Sequence, residues 1–347
     1  MGGISRGDRD ARRDGNRLCE TGGDPCILAT RSARRRADHG LHRKRTLAAM
    51  DGKPLTSKSD SLPESLVFTH EAMNTTFTLR LPMSGEHEAS GIAHECFELI
   101  DHLEQGLSRF IDGSDISRVN ALKKGETLHV RETTHRCLLL AIEASTATSG
   151  LFDVTHGARF EHLKRPTGGQ PPEIHGSLVV HPDLAAVTCI EPGRIIDLGG
   201  IGKGFALDET ARLLADWDVR EAFIAAGASS MLALGNARWP VDLAGDHTNL
   251  RITLDKASLS ASGSGIQGSH IVHPGGSGAM PVHPARRVWV VAANATLAEV
   301  WSTTLMLVEP SGIRRLLSNT LGIHKVFAED ANGPIRLHLD SGFGIPD

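Results

Sequence analysis

The run Ile195-Ile196-Asp197-Leu198-Gly199-Gly200-Ile201-Gly202-Lys203-Gly204-Phe205-Ala206-Leu207-Asp208 passes from a short apolar stretch, through four glycines in six residues, into a helical pattern. Leu207, Ala211 and Leu214 continue that pattern at i, i+4 and i+7. A strand, a glycine-rich turn and a helix form a layout in which N–H groups at a helix N-terminus can face an anion. The glycines let backbone approach a ligand closely, and Lys203 adds a point charge suited to phosphate. The spacing matches neither G-x-G-x-x-G nor G-x-x-x-x-G-K-[ST]. On its own the run reads equally as a tight strand-to-helix turn or as a phosphate site.

Upstream of this run, 67–81 reads as two strands, with Phe77, Leu79 and Leu81 alternating against polar residues. A helix is expected from about Glu88, where Cys96, Leu99, Leu103 and Leu107 recur at helical spacing. A short helix is expected over 115–120 and another over 134–148, the second stopped by Gly150. Residues 151–160 read as irregular, 165–172 as a loop, and 178–180, 186–190 and 194–196 as short strands. Downstream, strands are expected at 222–226, 231–234, 239–243, 251–254, 259–262 and 288–292. Helices follow over 294–308 and 313–318, the latter capped by Ser311, and a hairpin pairs 325–328 with 335–339. Strands and helices intermix without regular βαβ alternation, which points to α+β.

The 347 residues allow one large domain or two ordinary ones, and an apolar fraction of 40% is enough for a core. Residues 1–60 carry Arg31, Arg34, Arg35, Arg36, Arg43, Lys44 and Arg45 without apolar periodicity. They read as a disordered basic extension, with Met50 as an alternative start, ahead of one domain over 61–347. The net charge of −4 gives no nucleic-acid footprint across the whole chain, and no apolar run is long enough to span a membrane. No apolar signal follows Met1 or Met50, so cytoplasm is the expected compartment. The five cysteines include no C-x-x-C, and Cys96 and Cys137 fall in apolar helical patterns as small buried hydrophobes.

Several separated motifs then align with one family. In order they are Ala72-Met73-Asn74-Thr75, Leu107-Ser108-Arg109-Phe110, Ser114-Asp115-Ile116-Ser117-Arg118-Val119-Asn120 and Gly150-Leu151-Phe152-Asp153. The series continues with 196–204, Ser262-Gly263, His270-Ile271-Val272 and Ala298-Glu299-Val300-Trp301-Ser302-Thr303. From about Leu66 onward the chain resembles the ApbE-type FAD:protein FMN transferases. The resemblance implies an α+β, ApbE-like (T-fold-like) architecture of mixed sheets and packed helices. It also implies magnesium-dependent transfer of FMN from FAD to a Ser or Thr hydroxyl of an acceptor protein, with release of AMP. Within the same site, hydrolysis of FAD to FMN and AMP, or flavin binding without catalysis, are the alternatives.

By resemblance, Glu299, Ser302 and Thr303, with the carbonyl of Gly200, occupy the magnesium positions. Met73, Phe110, Leu151, Phe152, Asp153, Asp197, Lys203 and Val272 occupy the flavin-contacting positions, and His270 and Lys203 the catalytic ones. Such chemistry is mostly positioning and charge stabilisation, and magnesium favours hard oxygen donors alongside phosphate oxygens. Each residue also has a plainer reading. Glu299 completes a capping box with Thr296; Asp197 could cap the next helix; Asp153 could form a turn; Met73 and Phe110 could be core; His270 could be a solvent-facing loop histidine. Glu299 stands where the family usually has Asp, and His273 where it has an acid.

Overall fold

A computed structural model describes residues 62–82, 86–164, 172–263, 286–318 and 320–335. The expected extension over 1–60 and the 336–339 half of the last hairpin lie outside them. The frame is an eight-stranded sheet whose neighbouring strands are antiparallel throughout. Its order is β1 (Ser65–Ala72), β2 (Thr75–Pro82), β6 (Ala222–Ala226), β7 (Ser230–Leu234), β10 (Ala257–Gly263), β11 (Arg287–Ala292), β12 (Ile323–Asp330) and β13 (Gly333–Ile335). Between β2 and β6 the chain leaves the sheet to form α1 (Glu86–Leu107), α2 (Asp115–Val119), α3 (Glu132–Ala147), α4 (Gly157–Lys164) and α5 (Gly202–Asp216). The same excursion holds a three-stranded sheet of β3 (Thr127–His129), β5 (Ala186–Glu191) and β4 (Ser177–Val180). A ribbon of β8 (Trp239–Ala244) and β9 (Asn249–Leu254) separates β7 from β10, and α6 (Ala295–Leu305) and α7 (Pro310–Leu317) separate β11 from β12.

The period-2 alternation of a strand explains why β11 is apolar at nearly every position. Val288, Val290 and Ala292 face the main core with α5 and α6, while Trp289 and Val291 face a second cluster with Trp239, Leu243 and Leu254 of the ribbon. The central sheet is therefore covered on both faces. On β10 the same alternation sends Ser258, Ser260 and Ser262 toward α6 and leaves Leu259 in the ribbon cluster. Cys96, Cys137 and Cys189 are buried free thiols, and burial pushes Cys96 up to about 12.

Several expected elements differ. The predicted irregular segment 151–160 contains the start of α4, and 194–196 forms an isolated parallel bridge, His156 to Ile195, in place of a strand. Strand β3, three residues long with no fully buried position, was not expected. Helix α7 starts with Pro310 behind Glu309, so Ser311 is not its cap. Pro is favoured in a first helical turn because its missing N–H has no partner to lose there.

One buried carboxylate anchors the ribbon. Glu329 of β12 is fully buried and accepts from Asp246 N (2.7 Å), His247 N (3.1 Å) and Thr248. Burial raises its carboxyl, but these bonds outweigh burial and hold it below the usual 4.5. Its contribution to stability is thus complete above pH 4.5 and is lost as pH falls through the lowered folded value. Glu329→Gln is expected to cost about 2 kcal/mol at neutral pH in urea denaturation. The gap from wild type should shrink on acidification.

Candidate active site

Helices α5 and α6 cap one another, and this reciprocity builds the centre of the site. Asp208 on α5 accepts from the first backbone N–H groups of α6, Ala295 N and Thr296 N, both at 2.8 Å. Burial raises the Asp208 carboxyl despite these bonds. In return Glu299 of α6 reaches the start of α5, where Gly204 N donates to Oε2 at 2.5 Å and Lys203 Nζ to Oε1 at 2.5 Å. The expected capping box is therefore corrected. Asn294 caps α6, accepting from Leu297 N, and Glu299, only 4% exposed, caps a different helix. An anion at a helix N-terminus is stabilised by the unpaired N–H groups and the dipole. Such an approach requires glycine at 204, because a Cβ there would stand 2.4 Å from Ala295 O.

The glycine turn is held from the other side by Arg109. Its Nε donates to Asp197 Oδ2 (2.7 Å) and its Nη2 to Glu161 Oε2 (3.0 Å). Asp197 Oδ1 accepts from Gly199 N at 2.9 Å. Asp197 thus braces its own turn, and Ile201 occupies the N-cap of α5. Arg109→Met is expected to cost about 2 kcal/mol in chemical denaturation. Arg109→Lys should recover little, since an ammonium lacks the fork that spans two carboxylates.

A cavity of about 450 Å³ opens against this wall. It is lined by Leu151, Phe152, Asp153, Asp197, Gly200, Lys203, Glu299 and Thr303, all expected site residues, and also by Thr75, Phe160, Ser260, Ser262, Asp242, Arg287 and Trp289. Gly200 sits between Phe152 and Thr303: a Cβ there would lie 3.3 Å from the Phe152 ring and 3.8 Å from the Thr303 methyl. Asp153 Oδ1 accepts from Thr155 N (2.8 Å), and its Oδ2 lies 3.1 Å from His156 Nε2. Burial raises the Asp153 carboxyl, but the bonds from His156 and Thr155 prevail and hold it below 3.8.

Next to Glu299 lies a set of hydroxyls. Ser302 Oγ is 2.9 Å from Ser262 Oγ, donates to Ser260 Oγ at 3.1 Å, and is fully buried. Thr303 Oγ1 is 3.4 Å from Ser262 Oγ. Among the described residues no group of three or more His, Cys, Asp and Glu could hold a metal. The oxygen donors here are one carboxylate and several hydroxyls.

Ser302 backs the cavity without lining it. Met73 and Phe110 also do not line it. Met73 sits at positive φ in the β1–β2 turn and packs on the core edge. Phe110 is 53% exposed under the Arg109 guanidinium, so its core reading is corrected. His270, Val272 and His273 lie outside the described residues. Sequence reasoning quoted Arg109 and Ser262 within motifs and His156 within the polar segment 151–160 without giving them roles, and it missed Ser260. The Ser-x-Ser-x-Ser alternation over 258–262 was the available signal for the hydroxyl set.

The sequence profile of the ApbE family matches residues 73–327, most of the chain. The chain belongs to the ApbE family. A curated relative, the FAD:protein FMN transferase of Buchnera aphidicola, is 24% identical over 243 residues, covering 60% of this chain and 70% of that protein. The solved flavin transferase ApbE from Vibrio cholerae superposes with a TM-score of 0.64 at 18% identity, over 76% of this chain and 93% of that one. The apo flavinyl transferase ApbE of Pseudomonas stutzeri gives 0.65 at 21%, over 77% and 93%. The ApbE protein of Thermotoga maritima gives 0.65 at 22%, over 78% and 96%. The architecture is thus the ApbE fold. No helix among the described residues is long and apolar enough to cross a membrane.

Proposed function

We propose that this protein transfers FMN from FAD to a Ser or Thr hydroxyl of an acceptor protein, releasing AMP. The observation that carries the reading is the convergence of Lys203 and the glycine turn, Asp153, and Glu299 and Thr303 of α6 on one cavity, with Ser302 behind them. The family membership and the named activity of the Buchnera relative support it. In the reaction the acceptor oxygen bonds to the FMN phosphorus and the bond to the AMP oxygen breaks. The hydroxyl proton passes to a base, the role we assign to His270.

The donor set fits magnesium, which commonly takes one or two carboxylates and leaves its other positions to water and substrate phosphate. Glu299, Ser302, Thr303 and the carbonyl of Gly200 are the residues that would hold it. When bound, it would offset phosphate charge. Lys203 rests on Glu299, and its flexible stem lets the ammonium turn to a phosphate oxygen. Phe152 and Leu151 offer apolar surface for the flavin, and the Asp153 and Asp197 carboxylates offer acceptors for its polar groups. Met73, Phe110 and Val272 are proposed flavin contacts by resemblance alone.

The test is to incubate the protein with FAD, magnesium and a Ser/Thr peptide, and to follow AMP and peptide mass together. One AMP per labelled peptide supports transfer. AMP with free FMN and no label would replace transfer by hydrolysis, and FAD binding without AMP would replace it by flavin binding alone.

A further inference from the structure

We propose that His156 is a positioning residue that fixes the Asp153 carboxylate toward the flavin. This rests on the flavin-transfer reading above. Asp153 lines the cavity, and His156 stands behind it, only 5% exposed. Among the described residues the ring's one polar contact is Nε2 to Asp153 Oδ2 at 3.1 Å, with Nδ1 buried and without a hydrogen-bond partner. A buried polar atom left unpaired is a cost that an apolar side chain of similar size would avoid. What the ring gains in return is its hold on Asp153, which makes that contact the reason for a histidine here.

The backbone makes the hold rigid. His156 bridges Ile195, Gly157 N donates to Ile195 O at 3.0 Å, and Asp197 N donates to Val154 O at 2.8 Å. A Cβ at residue 157 would come within 2.6 Å of the Ile195 side chain, so glycine lets the two segments lie this close. The segment carrying Asp153 is thereby laced to the one carrying Asp197, and each carboxylate has its own bracing side chain. Arg109 serves Asp197 and His156 serves Asp153. With Oδ1 turned to Thr155 N and Oδ2 to His156, the carboxylate has one fixed rotamer in which its remaining lone pairs are available to a ligand.

The experiment measures FAD affinity by flavin fluorescence, with KM and kcat for transfer, in His156→Leu, His156→Gln, His156→Asn and their combinations with Asp153→Asn. His156→Leu should weaken FAD binding and raise KM by about tenfold, with little change in kcat and no loss of melting temperature. The amide of His156→Gln stands near the position of Nε2, so it should restore affinity to within about threefold, whereas the shorter His156→Asn should not. In the Asp153→Asn background, His156→Leu should add nothing further, because its effect runs through that carboxylate. Should the leucine variant not fold, the Gln–Asn contrast decides alone. Wild-type affinity in His156→Leu, equal losses in Gln and Asn, or an undiminished effect beside Asp153→Asn would overturn the proposal. If wild type itself binds no FAD, the flavin-transfer reading falls and takes this proposal with it.

Discussion

Replacing Glu299 by Gln should lower FMN transfer by about 100-fold or more, the scale for losing an electrostatic stabiliser of developing phosphate charge, here the magnesium that Glu299 would hold. The fold should also feel the change. Both Glu299 oxygens accept, from Lys203 Nζ and Gly204 N. A carboxamide offers one oxygen and turns an NH2 toward the second donor. The expected cost is about 2 kcal/mol in urea denaturation. Lys203→Met should relieve part of it, because the unmatched ammonium leaves with the substitution. A double-mutant cycle should therefore show a coupling of about 1–3 kcal/mol. Additive losses would mean that the contact carries no net energy. Full transfer activity in Glu299→Gln would remove Glu299 from the proposed magnesium set.

Gly204→Ala should destabilise the protein by about 3 kcal/mol, and Gly204→Val by more, because the new Cβ meets backbone that cannot turn aside. The atoms in its way are Ala295 O at 2.4 Å, Ala295 C at 2.7 Å and Thr296 Cα at 2.9 Å. To make room α6 must retreat from α5, which pulls Glu299 off Gly204 N and Asp208 off Ala295 N and Thr296 N together. Stability and FAD turnover should fall in parallel, unlike Glu299→Gln, where turnover falls much further than stability. Denaturation midpoints and transfer rates on the two variants separate the cases. A stable, active Gly204→Ala would mean that the two helices do not depend on this approach.

The α+β class and most strands were legible because strand alternation and helical spacing survive wherever one face of an element is buried. Phe77, Leu79 and Leu81 of β2 and Cys96, Leu103 and Leu107 of α1 all behave as their spacing predicts. Elements lacking that contrast were lost. Strand β3 buries little, and α4 opens on Gly157, a glycine that is there for Ile195. In the site, Asp153, Asp197, Lys203 and Glu299 were legible as residue types in motifs, and the cavity gathers them. The partners of Asp197, Lys203 and Glu299 were not, because Arg109, Glu299 and Gly204 are remote from them in sequence. Thr296-x-x-Glu299 is a sound capping-box pattern, yet Glu299 caps a helix that begins 97 positions earlier, at Gly202. Arg109 reaches Asp197 across 88 positions. Local patterns name the candidates; which pairs form is decided by the close approach of α5 to α6 and of segment 153–157 to segment 195–197.

The measurement that tests the central claim most directly is the intact mass of a Ser/Thr acceptor peptide after incubation with the full chain, FAD and magnesium, beside a reaction with chelator. The account predicts a gain of one FMN per peptide, lost when the acceptor hydroxyl is replaced by Ala and lost with chelator. An unmodified peptide in the presence of bound FAD, across acceptor sequences, would contradict it.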